Sequence, residues 1–141
     1  LALYVTMYSP LQMAADLPEN YNRFLDAFQF IKDVAVDWDD SKYLEAEPGK
    51  YITVARKAKD TNKWFLGSVN GEQARSSSIS LQFLDPSKKY LAIIYEDGPG
   101  AHYKTNPQSY KITSRTVRAN DTIRLHLAPG GGTAISFVPE D

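Results

Sequence analysis

The sequence predicts a mainly β protein: an antiparallel β-sandwich at the C-terminal end, preceded by a short α/β segment. Three observations carry this prediction. Short β-favouring runs recur from residue 51 to residue 138, residues 20–36 carry a helical apolar stripe, and the first sixteen residues are apolar with one break at Ser9-Pro10.

Seven runs predict the strands of the sandwich, because each is rich in β-branched or aromatic residues and ends at a turn signal. They are Tyr51–Lys57, Trp64–Val69, Ile79–Leu84, Tyr90–Tyr95, Tyr110–Val117, Thr122–Leu127 and Ala134–Val138. In the sixth run Ile123, Leu125 and Leu127 alternate with polar residues, which predicts one buried and one solvated face. The acidic stretch Val36–Tyr43 is interpreted as a link, and the domain boundary is placed near residues 37–48.

The helix is predicted over residues 20–36. Asn20 is the expected N-cap, and Pro18 is expected to stop any preceding helix. The apolar stripe consists of Tyr21, Phe24, Leu25, Phe28, Ile31 and Ala35, which recur at spacings of three and four.

The opening residues are expected to lie inside a larger domain. Leu1–Tyr8 is interpreted as the end of a buried helix and Leu11–Ala15 as a short buried strand, since Ser9 is pushed towards extended geometry by Pro10. The resulting alternation of helix, strand and helix fits a parallel sheet or a barrel. The abrupt apolar start predicts that the chain is the C-terminal piece of a longer protein.

Composition excludes several classes of function. The net charge is −1, so no basic face is available to neutralise nucleic acid phosphates. The chain has no cysteine, which leaves no disulfide, thiol nucleophile or cysteine zinc site. The opening run is too short and too interrupted for a membrane span. Residues 1–46 carry three basic and eight acidic side chains, whereas the remainder is basic, which is consistent with either two modules or one solvated acidic face.

No catalytic set emerges from the sequence. His126 is predicted on a solvated strand face, and His102 has no partner at metal-ligand spacing. Gly130–Gly132 precede a predicted strand, so they are interpreted as a permissive hairpin turn and not a phosphate loop. Asp37, Asp39 and Asp40 lack the glycine and the distal glutamate of a calcium loop.

Three residues remain as site candidates. Asp16 follows the predicted strand Leu11–Ala15, and strand ends are where the active sites of parallel α/β folds gather; a turn cap is the competing interpretation. Trp64 and Tyr103 are candidates for stacking on a sugar ring, which would make the sandwich a carbohydrate-binding module. The competing interpretation places these rings in the core or in an interface.

Four long segments, in this order, carry a family resemblance: LALYVTMYSPLQMAADLPENY at 1–21, FLDAFQFIKDVAVDWDDSKYLEAEPGKYITVARK at 24–57, KWFLGSVNGEQARS at 63–76 and LAPGGGTAISF at 127–137. Together they resemble the C-terminal part of glycoside hydrolase family 97. The resemblance implies an N-terminal sandwich, a (β/α)₈ barrel and a C-terminal sandwich. It assigns residues 1–46 to the end of the catalytic barrel with its linker and residues 47–141 to the last sandwich.

The resemblance also implies a function. The parent enzyme would be an exported or periplasmic bacterial exo-acting α-glycosidase, with α-glucosidase preferred over α-galactosidase, and with an α-linked glycan as substrate. Its catalytic glutamates and its calcium would belong to barrel segments before Leu1, so the chain contributes no catalytic or metal residue and is expected to be inactive alone. Its expected role is to brace the barrel and contribute to homo-oligomer contacts.

Overall fold

A computed structural model describes residues 1–7, 17–106 and 108–140. The helices are α1 (Leu3–Thr6), α2 (Pro18–Tyr21) and α3 (Leu25–Asp33), with a 3₁₀ turn at Asn22–Phe24. The strands are β1 (Trp38–Glu47), β2 (Tyr51–Ala58), β3 (Trp64–Asn70), β4 (Arg75–Ser80), β5 (Lys89–Asp97), β6 (Tyr110–Val117), β7 (Thr122–Leu127) and β8 (Gly132–Glu140).

The strands form a six-stranded sheet in the order β1-β2-β3-β8-β5-β6 and a ribbon of β4 and β7. Every pairing is antiparallel. One face of the large sheet packs against the ribbon around a core that includes Tyr90, Leu125 and Phe137. The predicted mainly β fold with an antiparallel sandwich and a short helical segment is therefore confirmed.

The other face of the large sheet is covered by α1, α2, the 3₁₀ turn and α3, which together are called the helical layer below. A second core lies there and includes Val5, Phe30, Phe65 and Tyr95. The sheet itself buries Val5 of the opening segment and Phe30 of α3, a residue outside the predicted stripe.

Several predicted elements match the structure closely. Strands β6 and β7 have the predicted bounds, and β2, β3, β5 and β8 extend theirs by a few residues. In β7, Ile123, Leu125 and Leu127 are buried while His126 is exposed, as the alternation predicted.

Two strand predictions were wrong. The acidic stretch predicted as a link is the edge strand β1, which pairs with β2 from Trp38 to Glu47. It spans the predicted division at residue 46, and the assignment of residues 1–36 to a barrel stays a prediction. Strand β4 lies at Arg75–Ser80 and not at Ile79–Leu84, because Ser80 pairs with Thr122 and Leu81 begins a turn.

The helix also differs from its prediction. Pro18 is the first residue of α2, and Asn20 lies inside that helix without capping it. The 3₁₀ turn at Asn22–Phe24 shifts the phase of the residues that follow, so the fully buried member of α3 is Phe30, while Leu25 of the predicted stripe is exposed. The glycine turn at 130–132 joins the ribbon to the large sheet and is not a hairpin.

Candidate functional site: the helical layer on the sheet

Arg56 joins the helical layer to the sheet. It lies in β2 on the covered face and is 4% exposed. Its Nε donates to the carbonyl oxygen of Val5 at 2.7 Å, and its Nη2 donates to the carbonyl oxygen of Thr6 at 3.4 Å. The last carbonyl groups of a helix have no partner inside that helix, so the guanidinium supplies donors where α1 ends.

Two neighbours hold the Arg56 side chain in place. Its Nη1 donates to Ser41 Oγ of β1 at 2.8 Å. The guanidinium carbon lies 5.7 Å from the centre of the Tyr43 ring, within the range of a cation–π interaction. Arg56 therefore connects two strands of the sheet with the end of α1.

Gly67 lets α1 lie directly against β3. A Cβ atom at this position would stand 2.6 Å from the carbonyl oxygen of Ala2 and 2.8 Å from Val5 Cβ. Both distances are shorter than a Cβ atom can approach a heavy atom without a steric clash. The close approach of helix and strand therefore requires glycine at position 67.

Aromatic contacts hold α3 against the same face. The Phe30 ring lies 5.2 Å from the Tyr95 ring and 6.0 Å from the Phe65 ring, both in edge-to-face geometry. Trp38 contacts Phe65 from the other side at 5.9 Å. Aromatic pairs of this geometry add to the stabilisation from burial alone.

A groove of about 770 Å³ opens between the helical layer and the ends of β5, β6 and β8. Its helical wall carries the stacked rings of Tyr21 and Phe28, 4.6 Å apart. At one end Tyr110 donates its hydroxyl to Asp26 Oδ1 at 2.7 Å, and this hydrogen bond lowers the pKa of Asp26 and raises the pKa of Tyr110.

Asp97 stands at the base of the groove. Burial raises the pKa of its carboxyl group, although the carboxylate accepts a hydrogen bond from the Ala128 backbone N–H at 2.9 Å. A Cβ atom on Gly131 would overlap this carboxylate. Asp97 therefore stabilises the turn between β7 and β8. Its carboxylate leaves no room for a side chain at position 131, which explains why that position of the predicted permissive turn is a glycine.

Glu45 connects the two sheets on the opposite face. Its carboxylate accepts hydrogen bonds from Ser77 at 2.7 Å and from Thr53 at 3.3 Å, and it pairs with Arg75 at 3.1 Å. Thr53 belongs to the large sheet, whereas Ser77 and Arg75 belong to the ribbon. Glu45 thus acts as a structural carboxylate with its oxygens already engaged.

The three aspartates among residues 37–40, at the start of β1, are paired with lysines. Asp37 lies 3.3 Å from Lys59, Asp39 lies 3.8 Å from Lys57, and Asp40 lies 3.4 Å from Lys42. Within residues 1–7, 17–106 and 108–140, no three acidic or histidine side chains come together in a way that could hold a metal ion. These residues do not fit the calcium that the family resemblance implies for the parent enzyme.

The sugar-stacking prediction for Trp64 was wrong. Trp64 is 5% exposed and packs between the sheets, where its ring lies 5.1 Å from the Phe83 ring. Tyr103 is exposed, but His102 stacks on its ring at 4.9 Å and the Lys104 ammonium lies 5.4 Å from the ring centre. A glycan role for Tyr103 stays a prediction.

The remaining candidate, Asp16, and the predicted strand Leu11–Ala15 lie outside the described residues. In the part of the chain that is described, no helix is long and apolar enough to cross a membrane. The structure instead brings together a set of residues that hold the helical layer on the large sheet. Two of them, Arg56 and Gly67, were not predicted from the sequence to belong to a site.

Comparison with known protein families shows which family the chain belongs to. Residues 37–138 match the family described as "Glycosyl-hydrolase 97 C-terminal, oligomerisation". The chain belongs to this family. The match begins at the residue before β1, so the family covers the sandwich, and the helical layer precedes it.

Two curated relatives resemble the chain beyond the sandwich. A retaining alpha-galactosidase from Bacteroides thetaiotaomicron is 36% identical over 97% of this chain and 20% of its own length. A probable retaining alpha-galactosidase from Streptomyces bingchenggensis is 27% identical over 95% of the chain and 19% of its own length. The chain therefore spans about a fifth of these relatives.

A solved family 97 structure shows the same fold. It is a glycoside hydrolase family 97 enzyme from Pseudoalteromonas sp. strain K8 in complex with acarbose, 50% identical, with a TM-score of 0.97 over 99% of this chain and 22% of its own. Because the similarity extends over nearly the whole chain, the helical layer is shared with that enzyme together with the sandwich.

Proposed function

We propose that this chain is the non-catalytic C-terminal region of an exo-acting α-glycosidase, with α-glucosidase favoured and α-galactosidase as the alternative. In this role the sandwich stabilises the catalytic barrel and contributes to contacts between subunits. The family match supports the oligomerisation role. The single observation that carries the bracing role is the attachment of α1 to the sheet by Arg56.

The apolar surface of the helical layer supports contact with a further domain. Leu3, Met7, Leu17 and Leu25 are each more than half exposed. Exposed apolar side chains in such number mark a contact surface more often than they mark free solvent surface. We propose that the rest of the catalytic barrel covers them, so that the helical layer joins the barrel to the sandwich.

The hydrogen-bond and ion-pair partners of two carboxylates support a non-catalytic role. Glycoside hydrolysis needs two carboxyl groups that flank one glycosidic bond. Among the described residues, Glu45 is bound to Arg75 and Ser77, and Asp97 is bound to the Ala128 N–H. We propose that the catalytic acids and the calcium belong to the rest of the parent enzyme, and that the parent is exported or periplasmic.

The sugar preference of the parent is a separate proposal. The two curated relatives are named as α-galactosidases, at 36% and 27% identity. The solved relative at 50% identity is in complex with acarbose, and a variant of that enzyme is in complex with panose. The higher identity supports testing panose as the first natural substrate.

The test compares hydrolysis of aryl α-glucoside, aryl α-galactoside and panose by the whole protein and by residues 1–141 alone, with calcium present. We expect turnover by the whole protein and none by the 141-residue chain. Turnover by the short chain that survives repurification would contradict the proposal, and so would an inactive whole protein that is folded and calcium-loaded.

A further inference from the structure

The free edge of β6 differs from the other edges of the sandwich. It is paired with β5 from Asp97↔Tyr110 to Tyr90↔Val117 without a register shift. Six of its eight residues are exposed, and it contains no proline. The opposite edge, β1, is interrupted by register shifts at Trp38/Asp40 and at Tyr43/Glu45. Bulges of this kind protect a sheet edge against pairing with another chain.

Each ribbon strand has a side-chain contact with the large sheet. Glu45 holds β4 against β1 through Ser77, and Arg115 donates to the Thr122 carbonyl oxygen of β7 at 3.4 Å. Outside the sheet, the face opposite the ribbon is covered by the helical layer. Of the two edges of the large sheet, this leaves β6 as the one with an unbroken register.

The charged residues of β6 do not guard that edge. Lysine and arginine protect an edge strand when they extend into the space that a second strand would occupy. Here Lys111 is paired with Glu96 on β5 at 3.3 Å, and Arg115 is bonded to Thr122. Both cations are directed to their own protomer.

We propose that two copies of this chain associate edge to edge through β6, antiparallel about a two-fold axis. This proposal rests on the oligomerisation role proposed above and names the surface that performs it. The pairing would continue the six-stranded sheet of one protomer into that of its partner, with the helical layers on the same side.

Charge disfavours the pairing centred on Thr113 and favours the one centred on Ser114. Under a two-fold axis normal to the sheet each residue opposes a residue of the same face, so the pairing is centred on one residue. Centring on Thr113 would place Lys111 opposite Arg115, which is unfavourable for like charges. Centring on Ser114 places Lys111 opposite Val117 and Tyr110 opposite Arg118, where an arginine can lie over an aromatic ring.

A cysteine introduced into β6 tests this register, because residues 1–141 contain none of their own. In the proposed pair Ser114 of each protomer faces Ser114 of its partner at about 4.5–5.5 Å between Cα atoms, which is within the range of a disulfide. We expect Ser114→Cys in the whole protein to form a covalent dimer on mild oxidation. Ser78→Cys, at an exposed position on the ribbon, is the matched control and should not.

A charge at the same position tests the contact without a disulfide. Ser114→Lys brings two ammonium groups together on the axis and should raise the dissociation constant of the dimer at least about tenfold. Ser78→Lys should leave it unchanged. Because Ser114 is exposed, the circular dichroism of the variant should match that of the unsubstituted protein, which shows that the variant folds.

Sedimentation velocity distinguishes a failure of the oligomerisation role from a failure of the β6 surface. A whole protein that stays monomeric at all concentrations would overturn both the oligomerisation role and the β6 surface. An oligomer that neither cross-links in the Ser114→Cys variant nor dissociates in the Ser114→Lys variant would overturn the β6 surface alone. Cross-linking together with dissociation would support the proposed register.

Discussion

Arg56 Nε donates to the carbonyl oxygen of Val5 at 2.7 Å, although the two residues stand 51 positions apart in the chain. Val5 is fully buried and Arg56 nearly so. A buried guanidinium is stable only if its donors are used, and here Val5, Thr6 and Ser41 accept them. The guanidinium of Arg56 therefore links the sandwich to the end of α1.

Removal of this cation should weaken the attachment of the helical layer. Arg56→Met keeps much of the side-chain volume but takes the guanidinium donors away from the carbonyl groups of Val5 and Thr6. We expect a loss of about 1–3 kcal/mol in the free energy of unfolding, measured by urea denaturation. Arg124→Met, on the exposed face of β7, is the control and should change it by less than about 0.5 kcal/mol. Equal effects of the two variants would contradict the role of Arg56.

Gly67→Ala should separate α1 from β3. The new methyl group would overlap the Ala2 carbonyl oxygen and the Val5 side chain, so the helix must move outward. Overpacking of this kind costs about 1–3 kcal/mol, and we expect faster cleavage within residues 1–7 during limited digestion with a protease of broad specificity. Ser78→Ala, at an exposed ribbon position, should leave the digestion unchanged.

Trp64→Ala should unfold the domain and not merely remove a glycan site. The indole packs on Phe83 inside the core, and truncation of a buried aromatic ring costs about 3–5 kcal/mol. Thermal unfolding followed by circular dichroism checks this. A variant that keeps its melting temperature while losing affinity for glycans would restore the sugar-stacking interpretation.

Asp97 and Asp26 should give opposite pH dependences. Burial raises the pKa of Asp97, so the folded chain holds this proton more tightly than the unfolded chain, and the stability contributed by Asp97 is lost as pH rises through the raised pKa. The Tyr110 hydrogen bond lowers the pKa of Asp26, so its contribution is present above the ordinary carboxyl pKa and is lost as pH falls through the lowered one.

The measurement compares Asp97→Asn and Asp26→Asn with the unsubstituted chain by urea unfolding across the acidic range. Relative to that chain, Asp97→Asn should gain stability as pH rises, and Asp26→Asn should lose it. Parallel slopes for the two variants would show that the environments of the two carboxyl groups have been misassigned.

The sequence predicts best where burial follows a simple period. In β7 the alternation of Ile123, Leu125 and Leu127 with polar residues gives both the strand and its buried face. Sequence reasoning fails for β1, because aspartates disfavour strands. In the structure the aspartates of VDWDDSKY are paired with lysines and accept backbone hydrogen bonds at the sheet edge. Sequence reasoning also fails for β4, because its sequence RSSSIS contains one large apolar residue and one such residue cannot show a period.

The candidate site was beyond sequence reasoning for a related physical reason. Arg56 shares its strand face with Val54 and Ala58 in YITVARKA, and a charge on this apolar face was the signal available. Its partners include main-chain carbonyl groups of α1, which no residue pattern identifies. The requirement for glycine at position 67 likewise depends on a helix whose approach to β3 is set by tertiary packing.

The helical layer and the sandwich should unfold as one cooperative unit, which native-state amide hydrogen exchange can show. We expect the amides of Val5 in α1 and Val34 after α3 to open with a free energy close to that of Leu66 in β3. Rapid exchange at Val5 and Val34, while Leu66 stays protected, would contradict the claim.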